Sequence, residues 1–265
     1  MYDFIYQKAK SVAEAASLVG KATEGKLVAG GMTLIPTLKQ RLAKPSDLVD
    51  LGGIAELKGI KRDGSAVVIG AMTRHVEVAE SAEVKKAIPA LAHLASLIGD
   101  PAVRNRGTIG GSISNNDPAA DYPAALVALN ATIMTDKRKI PADAFFKGMF
   151  ETALEPSEIV TAVSFPVPEK AAYEKFRNPA SRYALVGVFV AKAAGGVRVA
   201  VTGAGANGVF RANALEAALN ANFSPAALEG VSVPASGLNS DLHADADYRA
   251  HLIGVMAKRA VAAAG

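Results

Sequence analysis

The sequence has no cysteine among its 265 residues, which excludes several kinds of chemistry. A disulfide framework, an iron–sulfur cluster held by this chain, a thiolate zinc site and a cysteine nucleophile all need thiols. Long apolar runs are also missing. The longest, Tyr183–Ala191, is about half of what a membrane-spanning helix requires. The opening Met1-Tyr2-Asp3-Phe4-Ile5 lacks a basic stretch followed by an apolar one, so no signal peptide and a cytoplasmic location are expected. Aromatic residues make up only 6% and the net charge is +4. The one basic cluster, Lys137-Arg138-Lys139, runs into a proline and reads as a turn. Nucleic-acid binders concentrate basic charge and interleave it with aromatics, so that class is not expected.

Half of the residues are apolar and a fifth are charged, which predicts a sizeable core in one or two domains. Residues 1–52 read as a β-α-β unit. Helical spacing at Val12, Ala15, Ala16 and Val19 ends in Gly20, a strand covers Lys26–Ala29, a helix Thr33–Leu42 and a strand Asp47–Leu51. Residues 53–168 form a second part, with predicted strands Leu57–Ile60 and Ala66–Gly70 around an Asp63-Gly64 turn. A helical region Ala82–Ile98 is broken by Pro89. A glycine loop follows at Gly107–Gly111, then a helix Pro118–Asn130 capped by Asp117, and strands Ala131–Thr135 and Glu158–Phe165. Pro166-Val167-Pro168 marks a domain boundary. Residues 170–265 read as strands Ala172–Phe176, Leu185–Ala193 and Val197–Thr202, then helices near Ala212–Leu219, Pro225–Glu229 and Asp247–Ala264.

Two glycine loops carry the chemistry. The first, Ala29-Gly30-Gly31-Met32-Thr33-Leu34, sits where a strand gives way to a helix. Consecutive glycines let backbone N–H groups converge on an anion, and Thr33 adds a hydroxyl. Alone, such a motif also reads as a tight turn. The second runs from Arg104 to Asp121 and contains Gly107-Thr108-Ile109-Gly110-Gly111-Ser112-Ile113-Ser114-Asn115-Asn116-Asp117. Its glycines permit close approach to a diphosphate, Thr108, Ser112 and Ser114 carry hydroxyls, and burying so many small polar groups calls for a ligand. Asp121 also reads simply as an acid in the first turn of a helix.

Together the loops resemble the FAD-binding medium subunit of molybdenum hydroxylases of the carbon-monoxide dehydrogenase and xanthine dehydrogenase type. Ala29–Leu34 matches an Ala-Gly-Gly-x-Ser/Thr-Leu loop, Thr108–Gly111 a Thr-Ile-Gly-Gly loop, and Asp117–Asp121 an Asp-Pro-Ala-x-Asp helix start. Arg41–Pro45, Leu48–Leu51, Ile69–Thr73, Tyr173–Phe176 and Ser181–Val188 extend the resemblance over nearly the whole chain. It implies an α+β fold: a two-part FAD-binding domain of the vanillyl-alcohol-oxidase (PCMH) type over 1–168, then a small α+β C-terminal domain over 170–265. By the resemblance, Ala29–Thr33 and Thr108–Ser112 hold the diphosphate from two sides and Asp121 hydrogen-bonds the flavin part. Ile159 matches a backbone position beside the flavin, Lys175 a basic residue near its ring, and Tyr183 an aromatic over it. Residue by residue, Ile159 also reads as core, Lys175 as a solvated strand residue and Tyr183 as packing. Ser112 stands where many members have Asn, and Met32 where many have Gln or His, so side-chain contacts at those two positions are in question.

The family's role implies FAD as cofactor and two partners, a molybdenum-cofactor large subunit and a 2Fe-2S small subunit, as a dimer of heterotrimers. Electrons would run from partner iron–sulfur clusters through FAD to an external acceptor. Two alternatives stay open. A free-standing FAD-dependent oxidase or reductase would turn over a small donor by itself, and a non-catalytic nucleotide-binding module would bind ADP without preferring FAD. Gly203-Ala204-Gly205-Ala206-Asn207-Gly208 matches a dinucleotide fingerprint, but the stretch after it lacks the second parallel strand and ribose-binding acid of a Rossmann unit, and it reads as a strand-to-helix loop. The four histidines are scattered, and His75 beside Arg74 reads as solvated or hydrogen-bonded.

Overall fold

The structure, a computed structural model, describes residues 1–265. Its first part holds β1 (Ile5–Lys8), α1 (Val12–Lys21), β2 (Gly25–Val28), α2 (Leu34–Lys39) and β3 (Asp47–Asp50). The strands are parallel in the order β1-β3-β2, which crossover helices require. Ser11 Oγ caps α1 by accepting from the Glu14 N–H at 3.1 Å, and Ala15 packs the helix against Val49 and Leu51. Gly20 lies within α1, which runs on to Lys21. α2 is shorter than its sequence pattern, because Arg41 takes a left-handed φ of 59° and ends it.

The second part comprises β4 (Ile60–Asp63), β5 (Ala66–Gly70), α3 (His75–Glu80), α4 (Ala82–Ala87), α5 (Pro89–Ser96), α6 (Pro101–Arg104), α7 (Ile109–Asn115) and α8 (Tyr122–Ala128). It continues with β6 (Thr132–Thr135), β7 (Lys139–Pro141), α9 (Ala142–Phe145), β8 (Phe146–Gly148), β9 (Glu151–Thr152) and β10 (Val160–Pro166). The main sheet is antiparallel in the order β4-β5-β10-β6-β7. Gly64 and Ser65 turn the β4–β5 hairpin, one position on from the expected Asp63-Gly64, because Asp63 still pairs with Ala66, and Pro89 separates α4 from α5. Leu57 lies outside β4, in a 3-10 turn, with its side chain in the core and its carbonyl accepting from the Met72 N–H at 2.8 Å. The stretch Gly107–Gly111 is not a free loop. Thr108 caps α7 and Gly110 and Gly111 form its first turn.

The C-terminal part is a second antiparallel sheet, β11 (Lys170–Arg177), β12 (Ala184–Ala193), β13 (Gly196–Thr202) and β14 (Phe210–Arg211), with α10 (Asn213–Ala221) and α11 (Ala246–Ala264). One sheet face places Tyr173, Phe189 and Ala200 in the same core as Leu91 and Leu126 of α5 and α8. The other packs Val186, Val188 and Val199 on Leu215, Leu252 and Met256 of α10 and α11. Apolar residues fill both faces of β12, so it reads as a continuous hydrophobic run. After Gly203–Gly208 the chain returns as β14, antiparallel to β13 through Ala200↔Arg211 and Val201↔Phe210, before any helix begins. That return is incompatible with a Rossmann crossover.

The same sheet delays α8. Its pattern predicts a start at Pro118 with Asp117 as cap, but it begins at Tyr122. Thr202 Oγ1 donates to the carbonyls of Pro118 (3.1 Å) and Ala120 (2.6 Å), and the Gly203 N–H to Pro118 (2.8 Å). These bonds take carbonyls that a helix would use itself. Asp117 instead closes a short turn onto the Ala119 N–H at 2.9 Å.

Candidate functional site

The two glycine segments meet. A Cβ on Gly30 would fall 2.1 Å from the Arg106 carbonyl oxygen and 2.8 Å from Gly107 Cα, and one on Gly111 would touch Ala29 Cβ at 3.6 Å. Gly30 is therefore where one backbone passes directly over the other, an approach open only to glycine. Gly110 is equally confined, against Ala71.

Their backbones are used differently. The N–H groups of Gly30, Gly31, Met32, Thr33 and Leu34 donate to no protein acceptor. The second segment spends its amides internally. Ile109 N–H goes to the Thr73 carbonyl, Gly110 N–H to Ala71, Gly111 N–H to Thr108 Oγ1 and Ser112 N–H to the Thr108 carbonyl. The first loop thus offers a run of free donors for an anion, while the second offers hydroxyls and a rigid wall.

Both segments border one cavity of about 760 Å³, within the range of small-molecule and cofactor sites. Ala29, Gly30, Gly31, Met32, Thr33 and Leu34 line it from one side. Thr108, Gly110, Gly111, Ser112 and Ser114 line it from the other, and Asp121, Ile159, Lys175 and Tyr183 extend it. Ile109 does not reach it, because its side chain is fully buried in the main core. The Ile159 backbone is already engaged, its N–H donating to Asp136 Oδ1 at 2.7 Å and its carbonyl accepting from the Asp136 N–H. Tyr183 stands half-exposed on the 178–183 loop, its phenol pushed up by burial and by the Asp117 and Asp121 carboxylates.

Lys175 is no solvated strand residue. Its side chain is 2% exposed, and Nζ lies 3.0 Å from both Asp121 carboxylate oxygens and 3.2 Å from the Leu97 carbonyl. Asp121 also accepts from Tyr173 Oη at 2.5 Å. Burial raises the Asp121 carboxyl, and Lys175 and Tyr173 pull it back down. Tyr173 was legible as a partner, since residues two apart on a strand share a face.

His75 contradicts its reading as solvated or hydrogen-bonded. It opens α3 nearly buried on the cavity wall, its Nδ1 without a partner, and its ring lies 5.4 Å from that of Tyr122, whose buried hydroxyl is also unpaired. Gly107 makes room for the ring, since a Cβ there would sit 2.5 Å from Nε2. Burial first, then the charge of Arg104, brings His75 down to about 4 from the ordinary 6.5. The unfolded chain therefore takes up this proton first, and stability falls as pH drops from 6.5 towards 4. Urea unfolding should show a loss of about 2–3 kcal/mol over that window that His75→Gln does not share. Parallel curves for the two proteins would refute the assignment.

Free amides over glycine, small hydroxyls and a buried charge pair around one cavity suit a dinucleotide with an anionic centre and a polar ring. Residues 2–168 match the family described as the FAD binding domain in molybdopterin dehydrogenase. The chain belongs to that family. Over 98% of this FAD-binding chain, it is 37% identical to the carbon monoxide dehydrogenase medium chain of Hydrogenophaga pseudoflava, covering 96% of that protein. It is 35% identical to the corresponding chain of Afipia carboxidovorans, over 97% of this chain and 95% of that one. A solved structure of the Hydrogenophaga pseudoflava enzyme, a form lacking the Mo-pyranopterin moiety, superimposes with a TM-score of 0.89 at 38% identity. The match covers 99% of this chain and 97% of that one. The chain is a flavoprotein subunit of the molybdenum hydroxylase class of oxidoreductases, its cofactor is FAD and its fold is α+β. No helix is long and apolar enough to cross a membrane.

Proposed function

We propose that this chain is the electron-transfer subunit of a cytoplasmic molybdenum hydroxylase, built as a dimer of heterotrimers. A large subunit would carry the molybdenum cofactor and a small one the 2Fe-2S clusters. Electrons would enter from those clusters and leave for an external acceptor. The observation that carries this reading is the contact of Gly30 with Arg106 and Gly107, which sets a row of free amides at the edge of the cavity. Full-length similarity to medium chains of multi-subunit dehydrogenases supports the partners, and so does the absence of cysteine, which leaves this chain no thiolates to hold clusters.

FAD, when bound, supplies a carrier that exchanges electrons singly or in pairs, which suits a junction between one-electron clusters and a two-electron acceptor. The protein's part is to hold and position it. The amides of Gly30 to Leu34 would bind the diphosphate, with the Thr108, Ser112 and Ser114 hydroxyls opposite. Asp121 and Lys175 would meet the flavin end, and Tyr183 would cover it and exclude water. The purified chain should show flavin absorption between about 350 and 500 nm. The tagged chain from its native host should copurify with molybdenum and iron. A colourless chain that stays colourless with added FAD would sink the reading; yellow protein without either metal would sink its partners.

A further inference from the structure

We propose that Tyr173 is a positioning residue for the cofactor: its hydroxyl, seated in a socket left by Gly187, fixes the Asp121 carboxylate against Lys175. It thereby sets the charge pair that faces bound FAD. This rests on the reading above, in which Asp121 and Lys175 meet the flavin end of the cavity.

Tyr173 is 1% exposed and its ring packs beside Phe189, with centroids 6.1 Å apart. Its hydroxyl has one acceptor, Asp121 Oδ1 at 2.5 Å. Neighbouring β12 leaves space for that hydroxyl only because residue 187 has no side chain, since a Cβ there would stand 2.3 Å from Tyr173 Oη. The acceptor is held from behind. Thr202 and Gly203 clamp the carbonyls of Pro118 and Ala120 just before Asp121. Three strands of the C-terminal sheet thus converge on a carboxylate that belongs to the other domain. Tyr173 supplies its donor, Lys175 its counter-charge, Gly187 the clearance and Thr202 the anchor.

A fully buried carboxylate needs such help to stay ionised, because desolvation favours its neutral form and a hydrogen bond donated to the anion opposes that. The titratable groups around Asp121 are Lys175 and Tyr173 of β11, Tyr122 at the start of α8, Tyr183 of the 178–183 loop, Asp117 of the preceding turn, and His75 of α3 against Tyr122. Lys175 is the one cation in contact with the carboxylate. When Asp121 takes a proton, that cation is left uncompensated beside the cofactor, which favours electron uptake.

The test is the midpoint potential of FAD bound to the full chain, measured against pH by dye equilibration. Tyr173→Phe keeps the ring and removes the donor. It should retain FAD and raise the proton affinity of Asp121 about tenfold, moving the associated break in the profile up by about one pH unit. Gly187→Ala, which displaces the hydroxyl instead of deleting it, should move the break the same way. Asp121→Asn should abolish it, and Tyr173→Phe added to Asp121→Asn should then change nothing. A Tyr173→Phe profile superimposable on wild type, or an equal shift in the Asp121→Asn background, would overturn the role of Tyr173. A potential that ignores Asp121→Asn altogether would instead overturn the placement of Asp121 at the flavin end.

Discussion

Gly30→Ala is expected to yield a chain that folds but purifies without FAD. The added methyl would lie 2.1 Å from a backbone carbonyl oxygen, that of Arg106, and no side-chain rotation relieves such a contact. The loops must part. Overpacking of this kind costs about 1–3 kcal/mol in stability, whereas the larger effect is on binding. Separating the loops shifts the free amides of Gly30 to Leu34 from the opposing hydroxyls, and two or more misplaced hydrogen bonds to a charged group account for about a 100-fold loss of FAD affinity, close to 2.7 kcal/mol. Fluorescence titration of apoprotein with FAD measures this directly. Gly208→Ala is the control. Unlike Gly30, that position has a positive φ, but a Cβ there meets nothing and the residue does not line the cavity, so its cost is in stability alone. Wild-type FAD affinity in Gly30→Ala would contradict the packed arrangement of the loops.

Lys175→Met should be the most destabilising single change in the site. Removing one partner of a buried ion pair leaves the other charge without compensation, at a cost of about 3–5 kcal/mol. For a chain of this size that lowers the melting temperature by about 10 °C. The pH dependence identifies the cause. Burial already raises the Asp121 carboxyl, and without Lys175 its folded-state value rises further above that of the unfolded chain. The folded protein then binds this proton more tightly, so the deficit is full at neutral and alkaline pH and shrinks as pH falls through the folded value. Asp121→Asn in the Lys175→Met background should recover most of the loss at pH 7. A Lys175→Met deficit that is flat with pH, or not relieved by the second substitution, would show that Asp121 was not the stranded charge.

The C-terminal sheet lies at the centre of these expectations. It buries one face on α5 and α8; Tyr173 and Lys175 bond the Asp121 carboxylate at the start of α8, and Thr202 holds the backbone carbonyls just before it. Because that carboxylate borders the cavity, the packing of the C-terminal sheet is coupled to the electrostatics of the proposed cofactor site.

Local patterns were legible in the sequence wherever one short-range interaction dominates. Helical spacing placed α1, Pro89 divided α4 from α5, Asp63-Gly64 marked the hairpin, and a long apolar run marked β12. Every residue of Ala29–Leu34 and Thr108–Ser112 except Ile109 borders the cavity, since glycine at close approach is a requirement of backbone geometry and therefore local. Tertiary structure decided the rest. It delayed α8 to Tyr122 by occupying the carbonyls before it, turned Gly110 and Gly111 into helix with amides already spent, and placed unpaired His75 on the cavity wall. It also made Lys175 a buried partner of Asp121, 54 positions away along the chain. Each of these depends on which groups compete for one hydrogen bond or one buried charge, and that competition is settled only when distant segments come into contact.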